Sequence, residues 1–98
     1  MRRANLEGAV KIKATIGLWQ RGKWFVAKIP ELDFVAQGRT IEEAKSNLSE
    51  VVRIQFAEMK EMGTFEDYIA ECGFTIKDDI IEPENEVIGF EKQMLQFA

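Results

Sequence analysis

Two groups of acidic residues are the side chains of this chain best suited to acid–base or metal chemistry. Glu42 and Glu43 are adjacent, and a carboxylate pair can act as a general acid and base. A second group could bind a hard cation such as calcium: Asp78, Asp79, Glu82, Glu84 and Glu86. This group lacks the alternating ligands and central glycine of an EF-hand loop, so a solvated segment is the favoured interpretation. Because Glu43 has a helix-capping position and Glu42 is expected to face solvent, the pair does not predict a catalytic site.

The chain has no histidine and a single cysteine. Histidine is the commonest general base and metal ligand, so the side chain that most catalytic sites and zinc sites depend on is absent from this sequence. Cys72 lies on the apolar face of a predicted helix and has no histidine to activate it, which favours a packing role. We therefore expect no enzymatic activity, no metal and no cofactor.

The composition is that of one folded domain spanning residues 1–98. Hydrophobic residues make up 46% of the chain and charged residues 31%, a balance typical of a globular protein. A lone cysteine cannot form an internal disulfide, which favours a reducing compartment. The first eight residues have positive charge but no apolar stretch behind them, and no apolar run reaches membrane-spanning length. We expect a cytoplasmic protein with no membrane contact.

The net charge of −4 is unevenly distributed. Residues 1–30 carry seven Lys/Arg and one acid, a net charge of +6, whereas residues 31–98 carry six Lys/Arg and sixteen acids, a net charge of −10. Mutual neutralisation in a compact fold is the favoured interpretation. The alternative is an acidic face suited to a basic partner.

Apolar alternation predicts a β-hairpin near the start of the chain. Residues 9–19 alternate as a half-buried strand does, and residues 20–23 supply a glycine-containing loop. Residues 24–29 form the returning strand, which Pro30 ends by removing a backbone donor. A third short apolar segment follows at residues 34–36.

The register of this hairpin decides which side chains share its second face. We expect Trp19 to lie opposite Trp24 across a four-residue loop, with an apolar layer on one face and a mixed, partly exposed layer on the other. The mixed layer is the candidate subunit or partner interface: Lys11, Lys13, Trp19, Trp24, Val26 and Lys28. These residues could stack on RNA bases and neutralise phosphates, but a face covered by another subunit is the favoured interpretation.

A long amphipathic helix follows the third apolar segment. Thr40 and Glu43 have the spacing of a capping box, and Gly63 is placed for a left-handed C-cap. Between these ends, apolar residues recur at helical spacing: Ile41, Ala44, Leu48, Val51, Val52, Phe56, Met59 and Met62. About 22 helical residues extend for about 33 Å, which is long enough to cover a small sheet.

The patterns after Gly63 predict a short helix and one more strand. The short helix has its apolar positions at Phe65, Tyr68, Ile69 and Cys72. Residues 74–86 are predicted to be an acidic linker, and residues 87–97 a closing strand. The expected fold is α+β, in the order β-β-β-α, short α, β. It is an antiparallel sheet of three or four strands with one long helix packed on one face.

Four short motifs follow one another between Trp24 and Met59. They are Pro30-Glu31-Leu32, Gln37-Gly38-Arg39-Thr40, Glu42-Glu43-Ala44 and Asn47-Leu48. In this order, after an aromatic strand, they resemble the pattern of the HicB-like antitoxin family. The preceding hairpin fits the same layout.

The resemblance implies a small antiparallel sheet with one packed helix, similar to a partial ribonuclease H fold without its catalytic carboxylates. It also implies self-association as a homo-oligomer and binding to a small, basic, mRNA-cleaving toxin of the HicA type. The chain would then be an antitoxin-like protein-interaction module that neutralises this toxin. The alternative is an orphan self-associating scaffold that binds a small ligand or RNA and has no toxin partner.

The chain departs from the family pattern at two places. Family members often have Pro-Gly-Cys after Glu-Leu, where this chain has Asp33-Phe34-Val35. Full-length antitoxins usually add a helix-turn-helix or ribbon-helix-helix domain, whereas 35 residues follow Gly63 here. That length is too short for such a domain beside a closing strand, so we expect no autonomous DNA binding.

Overall fold

The computed structural model describes residues 11–98, which form an α+β fold. The elements are β1 Lys11–Ile12, β2 Gly17–Arg21, β3 Trp24–Ile29, β4 Phe34–Gly38, α1 Ile41–Met62, α2 Phe65–Glu71, β5 Phe74–Lys77 and β6 Ile80–Pro83. Strands β2, β3 and β4 form an antiparallel sheet, and α1 packs on β3 and β4. Strands β1, β6 and β5 form a second sheet, with β1 parallel to β6 and β5 antiparallel to it. The predicted fold class is confirmed, with a second small sheet added to it.

Helix α1 begins and ends where the sequence predicts. The Thr40 hydroxyl accepts a hydrogen bond from the Glu43 backbone N–H at 3.0 Å, and Gly63 has a left-handed φ of 72°. The Glu43 carboxylate accepts a hydrogen bond from the Arg39 N–H at 3.3 Å, one residue before the position that a capping box predicts. Both ends of the helix are therefore fixed by local hydrogen bonding and backbone conformation.

The start of α1 lies directly on the end of β4. Gly38, the last residue of β4, is buried. A Cβ atom at Gly38 would lie 2.6 Å from the Ala44 backbone nitrogen and 2.9 Å from the Glu43 carbonyl carbon. The Asn47 side-chain amide donates to the Gln37 carbonyl at 2.9 Å and fixes the same junction. The helix can approach the strand this closely because residue 38 has no side chain.

The core lies between the two helices and the two sheets. Its buried side chains are Ala27, Ile29, Leu32, Ala44, Leu48, Phe65, Ile69, Phe74 and Ile81. The Phe56 and Phe65 rings meet edge to face, with 4.9 Å between their centres, and join α1 to α2. Ile41 and Met62, at the two ends of the predicted apolar stripe, are exposed. The stripe therefore contributes its central part to the core.

The prediction of one strand over residues 9–19 is wrong, because the chain changes sheets between β1 and β2. Residues 13–16 belong to no strand, and the Thr15 N–H and hydroxyl donate to the Glu31 carboxylate at 3.1 and 2.8 Å. That carboxylate, from the turn after β3, takes the place of a strand partner. Residues 9 and 10, where the predicted strand begins, lie outside the described residues.

The β2–β3 hairpin forms in a register two residues away from the predicted one. Trp19 lies opposite Val26 instead of Trp24, across a loop at residues 22–23. Gly22 has a φ of 60°, as the first central residue of a type II′ turn requires, so the loop has two residues instead of four. Because strand side chains alternate with a period of two, this shift leaves the β2 and β3 side chains on their predicted faces.

Two predictions for the last part of the chain are wrong. Residues 74–86 are not a linker, because they contain β5 and β6, and Phe74 and Ile81 point into the core. Each strand has four residues, and the exposed Ile80 interrupts the alternation of apolar and polar positions. Asp78 adopts the φ of 57° that the turn between them needs. Residues 87–97 form no strand, since their apolar positions do not alternate and no register would bury them on one face.

We expect Gly38→Ala to destabilise the protein by about 1–3 kcal/mol, the usual cost of forcing a methyl group into a filled space. Urea unfolding followed by circular dichroism measures this change. Gly89→Ala is the matched control, because a Cβ atom there meets nothing within 4 Å. The control should change stability by less than about 0.5 kcal/mol. Equal stability of the two variants would contradict the close approach of α1 to β4.

Candidate functional site

The face of the β2–β3–β4 sheet that lies away from α1 carries both tryptophans. Ala27 and Ile29 are buried toward α1, so the alternate positions of β3 point the other way. On that opposite face, the Trp19, Trp24 and Val35 side chains are 48%, 40% and 54% exposed. We call this surface the indole face and define it by five residues: Trp19, Trp24, Val26, Lys28 and Val35.

Each tryptophan of the indole face contacts a different neighbour. The Trp19 ring lies over Gly17, where a Cβ atom would be 2.6 Å from the ring. The Arg39 guanidinium carbon lies 5.7 Å from the centre of the Trp24 ring, in a cation–π contact. Because Trp24 lies opposite Arg21, the two rings are diagonal neighbours and not the predicted directly opposed pair. The face offers two separate aromatic surfaces, one of them beside a cation.

The predicted interface residues Lys11 and Lys13 do not belong to the indole face, which holds the other four. Lys11 is in β1 of the second sheet, and the Lys13 N–H donates to β6 of that sheet. The Lys13 ammonium lies 2.9 Å from the Glu86 carboxylate, whose hydrogen bond and charge raise the pKa of Lys13. Lys28 pairs with Asp33 at 3.0 Å. The predicted grouping of two tryptophans with three lysines is therefore divided between two sheets.

Arg21, Val35 and Arg39 also contribute to this surface and were not among the predicted interface residues. Alternation along β4 could have identified Val35, because its neighbours Phe34 and Ala36 pack against the core. The contact of Arg39 with Trp24 depends on the path of the chain between β4 and α1, for which the sequence carries no signal.

The last part of α1, helix α2, the β5–β6 hairpin and the three residues after it carry ten of the chain's 17 acidic residues. Residues 58–86 contain those ten acids and two Lys/Arg, and every one of the acids is exposed. Helix α2 packs on both α1 and β5, so these elements form a continuous part of the molecule. We call this part the acidic surface (residues 58–86). The ion pairs Lys13–Glu86 and Lys28–Asp33 join the basic first part of the chain to later acids, but they leave this surface strongly negative.

The carboxylates of the acidic surface do not converge on one point. Within residues 11–98, no three His, Cys, Asp or Glu side chains come close enough to hold a metal ion. Glu43 caps α1 and Glu42 is exposed, so each member of this pair has a separate environment. The arrangement is suited to long-range attraction of a positively charged partner.

Tyr68 is engaged in the structure of the turn between β3 and β4. Its hydroxyl donates a hydrogen bond to the Leu32 carbonyl at 2.9 Å, and its ring stacks on Phe34 with 6.0 Å between the centres. Partial burial, with the Cys72 thiol and the Asp33 carboxylate nearby, raises the pKa of Tyr68 to about 12. A hydroxyl that holds its proton this strongly and is already bonded is poorly suited to acid–base catalysis near neutral pH.

We expect the raised pKa of Tyr68 to make stability depend on pH in the alkaline range. Between pH 10.0, the ordinary value, and about pH 12, unfolded Tyr68 loses its proton while folded Tyr68 retains it. Its contribution to stability is therefore complete below pH 10.0 and is lost as the pH rises through about 12. Because Tyr68 is the chain's single tyrosine, tyrosinate absorbance reports its titration directly.

Urea unfolding across the same pH range tests the linkage. Tyr68→Phe, which keeps the ring and removes the titrating hydroxyl, should show a smaller loss of stability over this window. An identical slope in the parent and the variant, or an ordinary tyrosine titration in the folded protein, would contradict the assignment.

Comparison of the chain with protein-family models, curated proteins and solved structures finds no match. In the part of the chain that the structure describes, no helix is both long enough and apolar enough to cross a membrane. Functional inference therefore depends on the geometry and charge of the surfaces and on the motifs between Trp24 and Met59.

Proposed function

We propose that this protein is an antitoxin-like interaction module that binds and neutralises a small, basic, mRNA-cleaving toxin of the HicA type in the cytoplasm. The mechanism is occlusion: the module covers the surface with which the toxin binds or cleaves RNA. This mechanism requires no chemistry, cofactor or DNA binding from the chain itself.

The observation that carries this proposal is the acidic surface (residues 58–86). A protein that cleaves mRNA must attract phosphates with positive charge. A surface with ten exposed acids and two basic residues competes for that charge and increases the rate of encounter. The partner expected from charge complementarity is thus the same class of partner that the family resemblance implies.

The motifs behind the resemblance support the scaffold of this proposal. The Glu31 carboxylate accepts hydrogen bonds from Thr15, in the segment between β1 and β2. Gly38 allows α1 to pack closely on β4, and the Asn47 side chain donates a hydrogen bond to β4 at the same junction. Each motif thus has a structural role in the arrangement of one long helix on a three-stranded sheet. The surfaces that would contact a partner lie outside these motifs.

The alternative of RNA binding through the Trp/Lys face has less support. Lys11 and Lys13 lie in the second sheet region, and Lys28 is paired with Asp33. Arg21 and Arg39 lie beside Trp24 in place of the predicted lysines, but the net charge of −4 opposes the attraction of phosphates on which single-strand binding depends. A self-associating scaffold without a toxin remains the second proposal, and the same experiment separates the two.

The test is recovery of a partner from the source organism's lysate by the tagged chain, at low and high salt. We expect a small basic protein at low salt, its release at high salt, and inhibition of its RNA cleavage by added chain at a stoichiometric ratio. Recovery of no such protein, or of one whose RNA cleavage the chain does not inhibit, would contradict the toxin-binding proposal.

Charge reversal locates the interface. We expect the pair of changes Glu61→Lys and Glu71→Lys, both in the acidic surface, to weaken binding about tenfold or more. The matched control combines Glu42→Lys with Ser46→Lys and Gln55→Lys, which changes the net charge equally at exposed positions outside that surface. The control should bind within about twofold of the parent chain. Equal weakening by the acidic-surface pair and by the control would indicate a general effect of net charge and would contradict an interface on the acidic surface.

A further inference from the structure

Residues 87–98 are the largest group of uncovered apolar side chains in the described chain. Ile88, Met94 and Phe97 are 98%, 102% and 97% exposed, and Leu95 and Phe90 are 78% and 63% exposed. We call residues 87–98 the apolar segment. Soluble proteins rarely leave so many neighbouring large apolar residues in water unless these residues bind something.

An apolar groove runs along α1 on the side of the strand β1. It consists of two adjoining cavities of about 370 and 240 Å³ that share Ile12, Ser49 and Val52. Ile16 lines one end, and Phe65 lines the other. The groove follows α1 from Leu48 to Lys60, which is about 18 Å of helix.

We propose that the apolar segment of one copy of this chain docks into the α1–β1 groove of a second copy, and that the exchange is reciprocal in a two-fold dimer. Each protomer has one segment and one groove, so a single two-fold axis satisfies both contacts. This pairing is independent of the identity of any toxin.

The size of the groove fits this occupant. Val87, Phe90, Met94 and Phe97 recur at helical spacing, and a helix over residues 87–97 would be about 16 Å long, close to the length of the groove. The apolar segment carries one acid and one lysine, so burial of apolar surface is the interaction that would hold it in the groove. Recognition of an amphipathic helix by an apolar groove is a common mode of protein binding.

The position of the segment's first residues favours a second copy over the same chain. Glu84 donates its N–H to the Gly73 carbonyl at 2.8 Å, and Glu86 pairs with Lys13 at 2.9 Å. Lys13 is exposed and, unlike its neighbours Ile12 and Ala14, does not line the groove. The segment therefore leaves the body at a position outside the groove, and it would have to turn back along β1 to enter its own groove.

The buried area is sufficient for a stable dimer. A buried aromatic side chain removes roughly 150–250 Å² from water, and the apolar face of the segment contains two phenylalanines beside Val87 and Met94. Two reciprocal segments, with the grooves that receive them, reach the range of about 1,200–2,000 Å² that specific interfaces bury.

The first test compares matched variants by sedimentation equilibrium over a range of concentrations. We expect the parent chain to be a dimer. Phe90→Asp with Phe97→Asp in the segment, and separately Ile16→Asp in the groove, should each raise the dimer dissociation constant about 100-fold or more. Ile54→Asp is the control, because Ile54 is 49% exposed against 43% for Ile16 and lies on α1 outside the groove. Circular dichroism checks that each variant is folded.

The second test distinguishes exchange between copies from docking within one chain. Cys72→Ser removes the chain's own thiol, and Ser49→Cys and Met94→Cys are then placed in two separate chains that are mixed and oxidised. We expect a disulfide between the two chains, and none when Glu58→Cys, half a turn around α1 from Ser49, replaces Ser49→Cys. An intrachain disulfide in a chain that carries both cysteines, or a parent chain that is monomeric, would overturn the proposal. Dimers unaffected by the segment variants would do the same.

Discussion

The close approach of Gly38 to the backbone of Ala44 is the constraint on which the rest of the fold depends. It sets the start of α1 on the end of β4, and the Asn47 hydrogen bond to the Gln37 carbonyl holds the next turn of the helix on the same strand. From there α1 crosses β4 and β3, with Leu48 in the core and Phe56 in contact with Phe65 at the start of α2. The second sheet is joined to this arrangement through Ile81 in the core, so a shift of α1 would disturb both sheets.

The same junction explains why the motif resemblance and the functional surfaces carry different information. Glu31, Gly38, Thr40 and Asn47 hold strands and helix together through hydrogen bonds or close packing. A chain that retains these residues retains the scaffold, because each of them satisfies a specific backbone requirement. Exposed side chains that have no role in holding the fold together, such as those of the acidic surface, determine which partner binds. Similarity in the motifs therefore predicts the fold more directly than it predicts the partner.

Local chemistry was predictable from the sequence, and contacts between distant residues were not. The caps at Thr40 and Gly63 and the spacing of α1 predict the helix correctly, because each depends on residues within a few positions. The change of sheet near Thr15 depends on Glu31, sixteen residues away, and no periodicity signals it. For the site, the tryptophans, Val26 and Lys28 stay on one face because the register error is an even number of residues. Lys11 and Lys13 are lost from that face because the strand divides.

The α1–β1 groove and the acidic surface (residues 58–86) meet at the end of α1, where Lys60 and Phe65 line the groove. Glu58 lies about half a turn around the helix from Ser49, on the side away from the groove, whereas Glu61 follows the groove residue Ala57 by one turn. A segment docked in the groove therefore leaves Glu58 in solvent and ends close to Glu61. A two-fold dimer built by exchange would present two acidic surfaces, and the part of each that faces away from the groove could bind a basic partner without competing with the contacts that form the dimer.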